Sequence, residues 1–295
     1  MKTLPKILVT GANGQLGKEL KDRCSLYPGF EFVFLSKEDF PIHHFELARN
    51  FFKTLEPAYC INCAAYTAVD KAEEEKDLAF QVNGEAVGVL AAICKDHTTT
   101  FIHISTDYIF DGMSDVPYKE DFPANPLNVY GASKLEGEKQ ALQLNADTII
   151  LRASWVYSPY GHNFVKTMMK LMGEKNEICV VNDQVGSPTY AGDLAETIMS
   201  IIGNGQLAIG NKPAGVYNFS NDGVISWYEF ATAIKEITGS DCVLQPISTS
   251  EFPTAATRPA FSVMDKTKIQ ETFGIKLKDW KESLNKCIEK IKNAS

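Results

Sequence analysis

Short apolar runs alternate with segments of helical periodicity along the first half of the chain, and this alternation constrains the fold more than any other feature. Lys6–Thr10 is the first apolar run, and Gln15–Cys24 follows it with Leu16 and Leu20 on one helical face. The same order recurs, with strands predicted at Glu31–Leu35, Tyr59–Ala64, Thr100–Ser105 and Thr148–Ala153 and helices at His44–Leu55, Leu78–His97 and Leu127–Asn145. Successive strands joined by helices run parallel. We therefore predict an α/β fold built on a doubly wound parallel sheet.

Three glycines, each three residues after the last, connect the first predicted strand to the first predicted helix. They are Gly11, Gly14 and Gly17 in the sequence GANGQLG. In such a turn the first glycine permits the tight bend, the second lets a pyrophosphate approach the backbone, and the third lets the helix pack closely. The helix N-terminus adds amide donors and a positive dipole. The turn therefore predicts a dinucleotide site in a Rossmann-like sheet.

The regular alternation weakens after Ala153, where turn-forming pairs such as Ser158-Pro159 become frequent. Here we predict that an NAD(P)-binding Rossmann domain, residues 1–155, gives way to a smaller C-terminal substrate-binding lobe, mainly residues 156–295. The two are expected to interleave, with elements near residues 190–240 returning to the sheet, because Gly215–Phe219 has the pattern of a further sheet strand. Ser226 and Glu229 have the spacing of a capping box that opens a helix.

The composition of the chain limits the classes of partner that we expect the protein to bind. The 295 residues carry a formal net charge of -8 and scattered lysines, which disfavours a nucleic-acid partner. No apolar run approaches the ~20 residues that cross a bilayer, and no signal-peptide core follows Met1, so we expect a cytoplasmic protein without a membrane partner. Its seven cysteines are dispersed through apolar segments as reduced thiols would be, and Cys60 and Cys63 lack the further ligands of a metal site. Both a monomer and a homodimer stay open.

The end of the second predicted strand indicates which nicotinamide cofactor the glycine turn would bind. An acidic residue there would hold an adenosine ribose and select NAD. The strand instead ends with Ser36 and Lys37, whose hydroxyl and ammonium tolerate a 2′-phosphate better than a carboxylate does. NADPH is therefore the expected cofactor. NADH stays possible, because Glu38 and Asp39 follow directly and could reach the ribose.

Tyr130 and Lys134 form the predicted catalytic pair. They lie four residues apart at the start of a predicted helix, on one face of it. A phenol with a pKa near 10 becomes an acid-base catalyst when a nearby ammonium, a cationic nicotinamide and a hydroxyl donor stabilise its charged form. Thr106 supplies that hydroxyl in the prediction, because it follows the fourth strand at the carboxyl edge of the sheet, where ligands of open α/β folds bind.

These features together resemble the extended short-chain dehydrogenase/reductases and, within them, the dTDP-4-dehydrorhamnose reductase family. The matching segments cover nearly the whole chain: Gly11–Gly17 (GANGQLG), Asn62–Glu73 (NCAAYTAVDKAE), Ser105–Gly112 (STDYIFDG), Pro126–Lys134 (PLNVYGASK), Arg152–Tyr157 (RASWVY), Asn163-Phe164, Asn182–Thr189 (NDQVGSPT) and Arg258-Pro259. The resemblance implies reduction of the C4 keto group of dTDP-4-dehydro-β-L-rhamnose to dTDP-β-L-rhamnose, the last step of dTDP-rhamnose biosynthesis. Some relatives dimerise around Mg²⁺, but the sequence does not identify such ligands here.

The resemblance also implies roles for individual residues. Tyr130 is the expected proton donor, with Lys134 and Thr106 as its catalytic partners. The expected cofactor contacts are Gly11, Asn13, Gly14, Gln15, Leu16, Gly17, Ser36, Lys37, Asp39, Ile42, Ala64, Ala65, Tyr66, Thr67, Ile104, Tyr130 and Lys134. The expected substrate contacts are Val69, Thr106, Asp107, Tyr108, Trp155, Asn163, Gln184 and Arg258. One departure concerns the adenine, where the family has an Asp-Ile or Asp-Leu pair and this chain has Pro41-Ile42.

Two of the expected substrate contacts, Arg258 and Trp155, can also be argued from the sequence without the resemblance. A nucleotide-diphosphate needs a cation, and Arg258 is one of only four arginines, in a loop with no helical neighbour to pair with. It is predicted to bind the pyrophosphate, with a loop anchor as the alternative. Trp155 directly follows the fifth strand, and its alternatives are a sugar platform and a core residue.

Two other functions use the same motifs. A nucleotide-sugar 4-epimerase or 4,6-dehydratase would share the glycine turn and the Tyr130/Lys134 pair, but a dehydratase usually needs an acid pair and Asp107-Tyr108 supplies one carboxylate. A non-catalytic subunit resembling the regulatory subunit of methionine adenosyltransferase is the second alternative. The stretch Ser154–Tyr157 (SWVY) favours the reductase over that subunit.

Overall fold

The computed structural model describes residues 4–203 and 213–294 of the chain. In these residues the strands are β1 (Lys6–Thr10), β2 (Glu31–Leu35), β3 (Tyr59–Asn62), β4 (Thr100–Thr106), β5 (Ile149–Ala153), β6 (Val156–Tyr157), β7 (Glu177–Val181), β8 (Val185–Gly186), β9 (Thr189–Tyr190), β10 (Gly215–Phe219), β11 (Ile225–Ser226) and β12 (Val243–Ile247). The helices are α1 (Gln15–Arg23), α2 (Phe45–Leu55), α3 (Val69–Ala72), α4 (Lys76–Phe80), α5 (Ala86–Asp96), α6 (Val129–Leu144), α7 (Phe164–Glu174), α8 (Ala191–Gly203), α9 (Trp227–Thr238), α10 (Thr267–Phe273) and α11 (Trp280–Ala294). A π-helical segment, Gln81–Glu85, joins α4 to α5.

The central sheet is parallel, as the alternation predicted. Its strands in the described residues follow the order β2-β1-β3-β4-β5-β10, and each neighbouring pair is parallel. The sheet order reverses at β1, which pairs with β2 on one side and β3 on the other. Ligands of open α/β sheets bind outside the carboxyl ends of the strands at such a point. The α/β prediction, including the returning strand Gly215–Phe219, is confirmed.

Helices cover both faces of the sheet because alternate strand residues point to opposite sides. On β1, Ile7 and Val9 belong to one buried cluster with residues of α1 and α8, whereas Leu8 belongs to another with residues of α2 and α5. All three side chains are fully buried. Burying such a side chain contributes roughly 1.5–3 kcal/mol, so these two clusters hold the sheet edge rigid beneath the site.

The second half of the chain builds a core of its own. Phe230 of α9 lies at its centre with residues of α7 and α11, beside the small parallel pair β7 and β12. The predicted capping box is present: the Glu229 amide donates to Ser226 Oγ at 3.1 Å, and the Ser226 amide donates to the Glu229 carboxylate at 2.7 Å. Gly239 ends α9 with a φ of 69°. A separate core is what a distinct substrate-binding lobe requires.

One helical segment, Lys76–Asp96, has the length and hydropathy of a membrane-crossing helix, which the sequence analysis did not expect. Its apolar residues lie in the protein core instead: Val87, Leu90 and Ile93 are at most 1% exposed and pack in the cluster beneath β1 and β3. Burial against the sheet therefore accounts for the composition of this segment.

Candidate active site

The glycine turn closes directly onto the sheet. Gly11 has a φ of 64°, and a Cβ there would lie 2.7 Å from the Ala64 amide nitrogen, so only glycine fits. A Cβ on Gly17 would lie 2.5 Å from the Gly11 carbonyl oxygen, which shows that the third glycine lets α1 pack on the turn itself. Gly14 is the N-cap of α1, which has no side-chain cap and no acidic residue in its first turn. The first amides of α1 and its positive dipole are therefore free to meet an anion.

A cleft of about 960 Å³ runs along the carboxyl edge of the sheet from this turn to the second-half lobe. Most of the residues predicted for the site line it: Gly11, Asn13, Gly14, Gln15, Leu16, Lys37, Ile42, Ala64, Ala65, Tyr66, Thr67, Val69, Ile104, Thr106, Asp107, Tyr108, Tyr130, Lys134 and Trp155. The others do not: Gly17, Ser36, Asp39, Asn163, Gln184 and Arg258. β3 ends at Asn62, two residues earlier than predicted, so Cys63 and Ala64 reach the cleft wall.

The loop after β2 leaves a cation at the far end of the cleft. The Ser36 hydroxyl and amide both donate to the Asp39 carboxylate, at 2.7 and 3.1 Å, and these bonds lower the pKa of Asp39. Asp39 therefore closes its own loop and does not line the cleft, contrary to its predicted role at the ribose. Lys37 does line it, together with His43, which the sequence analysis missed. No spacing pattern marked His43, because its position depends on how this loop folds.

Tyr130 lies in the first turn of α6, where the Gly131 amide donates to Asn128 Oδ1 at 2.8 Å, and Lys134 lies one turn later. The Tyr130 ring meets Tyr108 edge-to-face, with centroids 5.7 Å apart. Burial raises the pKa of Tyr130 to about 12; a hydrogen bond with the Thr106 hydroxyl lowers it, and the Asp107 carboxylate raises it. The phenol therefore holds its proton at neutral pH.

Lys134 makes different contacts from those expected. Its Nζ donates to the Ile104 carbonyl at 2.6 Å and lies 3.3 Å from His103 Nε2. Burial lowers its pKa to about 8. This ammonium was predicted to lie at the phenol, but a buried lysine must satisfy its donors locally, and β4 supplies the nearest acceptors.

Thr106 and Asp107 form the corner where β4 meets the cleft. The Thr106 hydroxyl donates to Asp107 Oδ1 at 3.1 Å and accepts from the Tyr108 amide at 3.2 Å. Asp107 Oδ2 is buried and accepts no hydrogen bond of good geometry among the described residues, although the Ser262 hydroxyl lies near enough to lower the pKa of Asp107. Burial raises the pKa of Asp107 to about 6. A buried acceptor without a partner is what a sugar hydroxyl could satisfy.

Trp155 stacks on Trp227, with ring centroids 3.6 Å apart and planes 10° apart, and both indoles line the cleft. Trp155 has a φ of 48°, which costs a bulky residue about 1–3 kcal/mol of backbone strain. Strain of this kind persists where the surroundings fix it, and a Cβ on Gly186 would lie 2.7 Å from the Trp155 ring. Trp155 thus forms a partly buried part of the cleft wall. Sequence reasoning missed Trp227, although it follows the capping residue Ser226.

Arg258 is not isolated, so the reason given for its role is wrong. Its guanidinium donates to both carboxylate oxygens of Asp70, at 3.0 and 2.7 Å, and to the Ala256 carbonyl at 2.9 Å. Asp70 lies in α3 and also accepts from the Ala256 amide at 3.0 Å. A hydrogen bond with Tyr108 adds a contact to the cleft wall. The alternative, a loop anchor, describes these contacts.

Asn163 and Gln184 lie behind the cleft wall. Asn163 caps α7, and its Nδ2 donates to Gln15 Oε1 at 2.9 Å and to the Ser158 carbonyl at 2.8 Å. Asn163 therefore supports a residue of the glycine turn. Gln184 is buried and donates to Thr249 Oγ1 at 3.1 Å. Neither contact was visible in the sequence, because both join segments far apart in the chain.

Asn83 is a further residue that the sequence analysis missed. It lies in the π-helical segment; its Oδ1 accepts from the Tyr66 amide at 2.8 Å, and its Nδ2 donates to the Tyr66 carbonyl at 3.0 Å. The extra residue of a π-turn often marks a functional site. Here it turns a buried amide towards the cleft wall. The only signal was Asn83-Gly84 inside an otherwise apolar helical segment.

No group of three His, Cys, Asp or Glu side chains in the described ranges is arranged to hold a metal ion. The buried carboxylate of Glu19 is paired instead with Arg23 and with Lys290, the latter at 3.3 Å.

A glycine turn that opens a parallel sheet, together with Tyr130, Lys134 and Thr106 in one cleft, defines an extended short-chain dehydrogenase/reductase. The chain matches the family model described as RmlD substrate binding domain over residues 5–293. It is 40% identical over 288 residues to the dTDP-4-dehydrorhamnose reductase of Aggregatibacter actinomycetemcomitans, covering 95% of this chain and 97% of that protein. The chain belongs to the dTDP-4-dehydrorhamnose reductase family.

Other relatives agree. Spore coat polysaccharide biosynthesis protein SpsK of Bacillus subtilis is 40% identical over 291 residues, which cover 99% of each chain. The crystal structure of dTDP-4-dehydrorhamnose reductase from Bacillus anthracis in complex with NADP has a TM-score of 0.92 to this chain at 36% identity, covering 98% of this chain and 100% of that one. The protein is thus an oxidoreductase with a nicotinamide cofactor, and the epimerase and regulatory-subunit alternatives are not favoured.

Proposed function

We propose that the protein reduces the C4 keto group of dTDP-4-dehydro-β-L-rhamnose to give dTDP-β-L-rhamnose, with NADPH as the reductant. The observation that carries this proposal is the juxtaposition of Tyr130, Thr106 and Asp107 in the cleft that begins at the glycine turn. We expect the enzyme to act in the cytoplasm, as a monomer or a homodimer.

The chain fits a dinucleotide along the cleft. The amides of Gln15 and Leu16 at the start of α1 would bind the pyrophosphate, and Asn163 would keep the Gln15 side chain in place from behind. Ala64 to Thr67 would line the middle of the cofactor. Lys37 would meet the 2′-phosphate through a charge-assisted hydrogen bond, which favours NADPH over NADH.

The protonation states of the cleft residues suit reduction. The cofactor supplies a hydride. Tyr130 would donate the proton of its Oη to the oxygen that develops negative charge at C4, and its pKa of about 12 keeps that proton available at neutral pH. The Thr106 hydroxyl would then stabilise the phenolate by turning its proton from Asp107 Oδ1 to the phenol oxygen, with which it already interacts. Lys134 would add positive charge close to the Tyr130 phenolate and the Thr106 hydroxyl.

The sugar would lie between Asp107 and the Trp155–Trp227 stack. Asp107 Oδ2 would accept a hydrogen bond from a sugar hydroxyl, since among the described residues it accepts none of good geometry. The two indoles would exclude water from one side. Arg258 would act at the rim, where it holds Asp70 and Tyr108 and 23% of its side chain stays exposed to a substrate.

The proposal is tested by turnover of dTDP-4-dehydro-L-rhamnose with NADPH, compared with NADH and with the UDP and GDP counterparts of the sugar. We expect stoichiometric NADPH oxidation and formation of dTDP-L-rhamnose. The matched control is Tyr130→Phe, which keeps the ring and removes the proton donor. Conversion of the sugar without net NADPH oxidation would indicate an epimerase, and NADPH binding without any conversion would indicate a regulatory subunit; both results would contradict the proposal.

A further inference from the structure

A line of buried hydrogen bonds leads from the catalytic lysine through the sheet. Lys134 Nζ lies 3.3 Å from His103 Nε2 on β4, and His103 Nδ1 lies 3.0 Å from Asn62 Nδ2 on β3. Asn62 Oδ1 accepts from the Thr10 hydroxyl of β1 at 2.6 Å. These four side chains are at most 2% exposed. The line therefore exchanges no hydrogen bonds with bulk water.

The donors and acceptors along this line cannot be chosen independently. Because Asn62 Oδ1 receives the Thr10 hydroxyl, its amide nitrogen faces His103 and donates to Nδ1. The proton of a neutral imidazole then lies on Nε2, opposite Lys134. An Nε2–H donates, so its partner must be a neutral amine. An ammonium on Lys134 requires the opposite arrangement, with the proton on Nδ1 and the Asn62 amide turned by 180°.

We propose that His103 is a positioning residue for Lys134: its two tautomers, in step with the Asn62 amide, accommodate the charged and the neutral forms of the lysine. The inference rests on the proposed function, in which the charge of Lys134 supports proton donation by Tyr130. With Nε2 unprotonated, His103 accepts a hydrogen bond from the ammonium and stabilises it.

The surroundings of Lys134 make such a device necessary. Burial lowers the pKa of Lys134 to about 8, although the Glu138 carboxylate and the Cys63 thiol act in the opposite direction and raise it. Glu138 is itself paired with Arg152 at 2.7 Å, so its negative charge is largely compensated. Tyr130 is neutral on the same helix, and burial and the ammonium hold the pKa of His103 well below its usual range. The remaining stabilisation of the ammonium must come from two acceptors, the Ile104 carbonyl and His103 Nε2.

Two substitutions separate this role from packing. His103→Gln offers an amide oxygen near the place of Nε2, whereas His103→Leu fills the space without an acceptor. The readout is the pH profile of kcat/KM for the sugar at saturating NADPH. For His103→Leu we expect the alkaline limb to move about one to two pH units lower, since a hydrogen bond to a charged group is lost. For His103→Gln the limb should stay close to that of the unchanged enzyme. A limb that stays in place in the leucine variant, or moves equally in both variants, would overturn the inference.

A second measurement does not depend on turnover. In the unchanged protein with ¹⁵N-labelled histidine, nitrogen chemical shifts distinguish protonated from bare ring nitrogens, and His103→Gln identifies the signal by its loss. We expect His103 to carry its proton on Nδ1 below about pH 7 and on Nε2 above about pH 9, with the change absent in Lys134→Met. A single tautomer across this range would refute the inference even if the enzyme reduces the sugar. A tautomer change without turnover would leave the inference standing and remove the proposed function.

Discussion

Replacing Lys134 by methionine should abolish activity while changing stability in a pH-dependent way. Lys134 is 2% exposed, and burial lowers its pKa from 10.5 to about 8. Methionine has a similar length and no charge to bury. The variant therefore removes an ammonium that the fold must desolvate whenever the lysine is protonated.

The size and sign of this effect follow from linkage. A shift from 10.5 to about 8 corresponds to about 3 kcal/mol, because one pKa unit is about 1.4 kcal/mol. Between these two pH values the unfolded chain binds more protons than the folded one, so the unchanged protein gains stability as pH rises. Below pH 8 the full penalty is present; above pH 10.5 it is gone. Lys134→Met lacks this dependence. Its unfolding free energy relative to the unchanged protein should fall by about 2–3 kcal/mol between pH 7 and pH 10.

Urea unfolding of both proteins, without cofactor, at pH 7 and pH 10 measures this difference. Losing Lys134 leaves the Ile104 carbonyl and His103 Nε2 without their donor, which costs about 1–3 kcal/mol. The lost hydrogen bonds already enter the folded-state pKa of Lys134, and the change in the stability difference between the two pH values depends only on the protons that Lys134 binds in the folded and unfolded chains. A stability difference independent of pH would refute the claim that Lys134 titrates within the folded protein.

Three further substitutions test the binding residues. Lys37→Glu should weaken NADPH binding by about 1–3 kcal/mol and leave NADH binding little changed, as measured by fluorescence titration; equal effects on both cofactors would remove Lys37 from the 2′-phosphate. Arg258→Ala should raise the sugar KM without changing NADPH affinity, and Asp70→Asn, which keeps the guanidinium, is its control; a lower Tm with an unchanged KM would make Arg258 a loop anchor alone. Thr106→Val should lower kcat by the equivalent of about 1–3 kcal/mol in steady-state assays. An unchanged kcat would show that the Thr106 hydroxyl does not stabilise the phenolate of Tyr130.

The sheet and the cofactor turn were predictable from the sequence because both depend on local patterns. Lys6–Thr10 and Glu31–Leu35 fold as predicted, since short apolar runs bounded by turns have few alternatives in an alternating chain. Gly11 was predictable for a similar local reason, because its backbone conformation excludes other residues.

The contacts that the sequence did not predict join segments distant in the chain. Arg258 was judged free because no partner stood near it in the sequence. Its guanidinium nevertheless donates to both carboxylate oxygens of Asp70, which lies 188 positions away. Asn163 was expected at the sugar and supports Gln15 instead, across 148 positions. His103 is a buried histidine in an apolar strand and is indistinguishable from a packing residue until Lys134 is placed beside it. Periodicity and spacing carry no information on such pairs.

The most direct test of the central claim uses NADPH that carries deuterium at the transferred position of C4. The enzyme is incubated with this cofactor and dTDP-4-dehydro-L-rhamnose, and the product is examined by mass spectrometry and ¹H NMR. We predict dTDP-L-rhamnose with one deuterium on C4 of the sugar, formed by the unchanged protein and at least about 10²-fold more slowly by Tyr130→Phe. Deuterium at another carbon, a product without deuterium, or equal rates for the two proteins would contradict hydride transfer to C4 with Tyr130 as the proton donor.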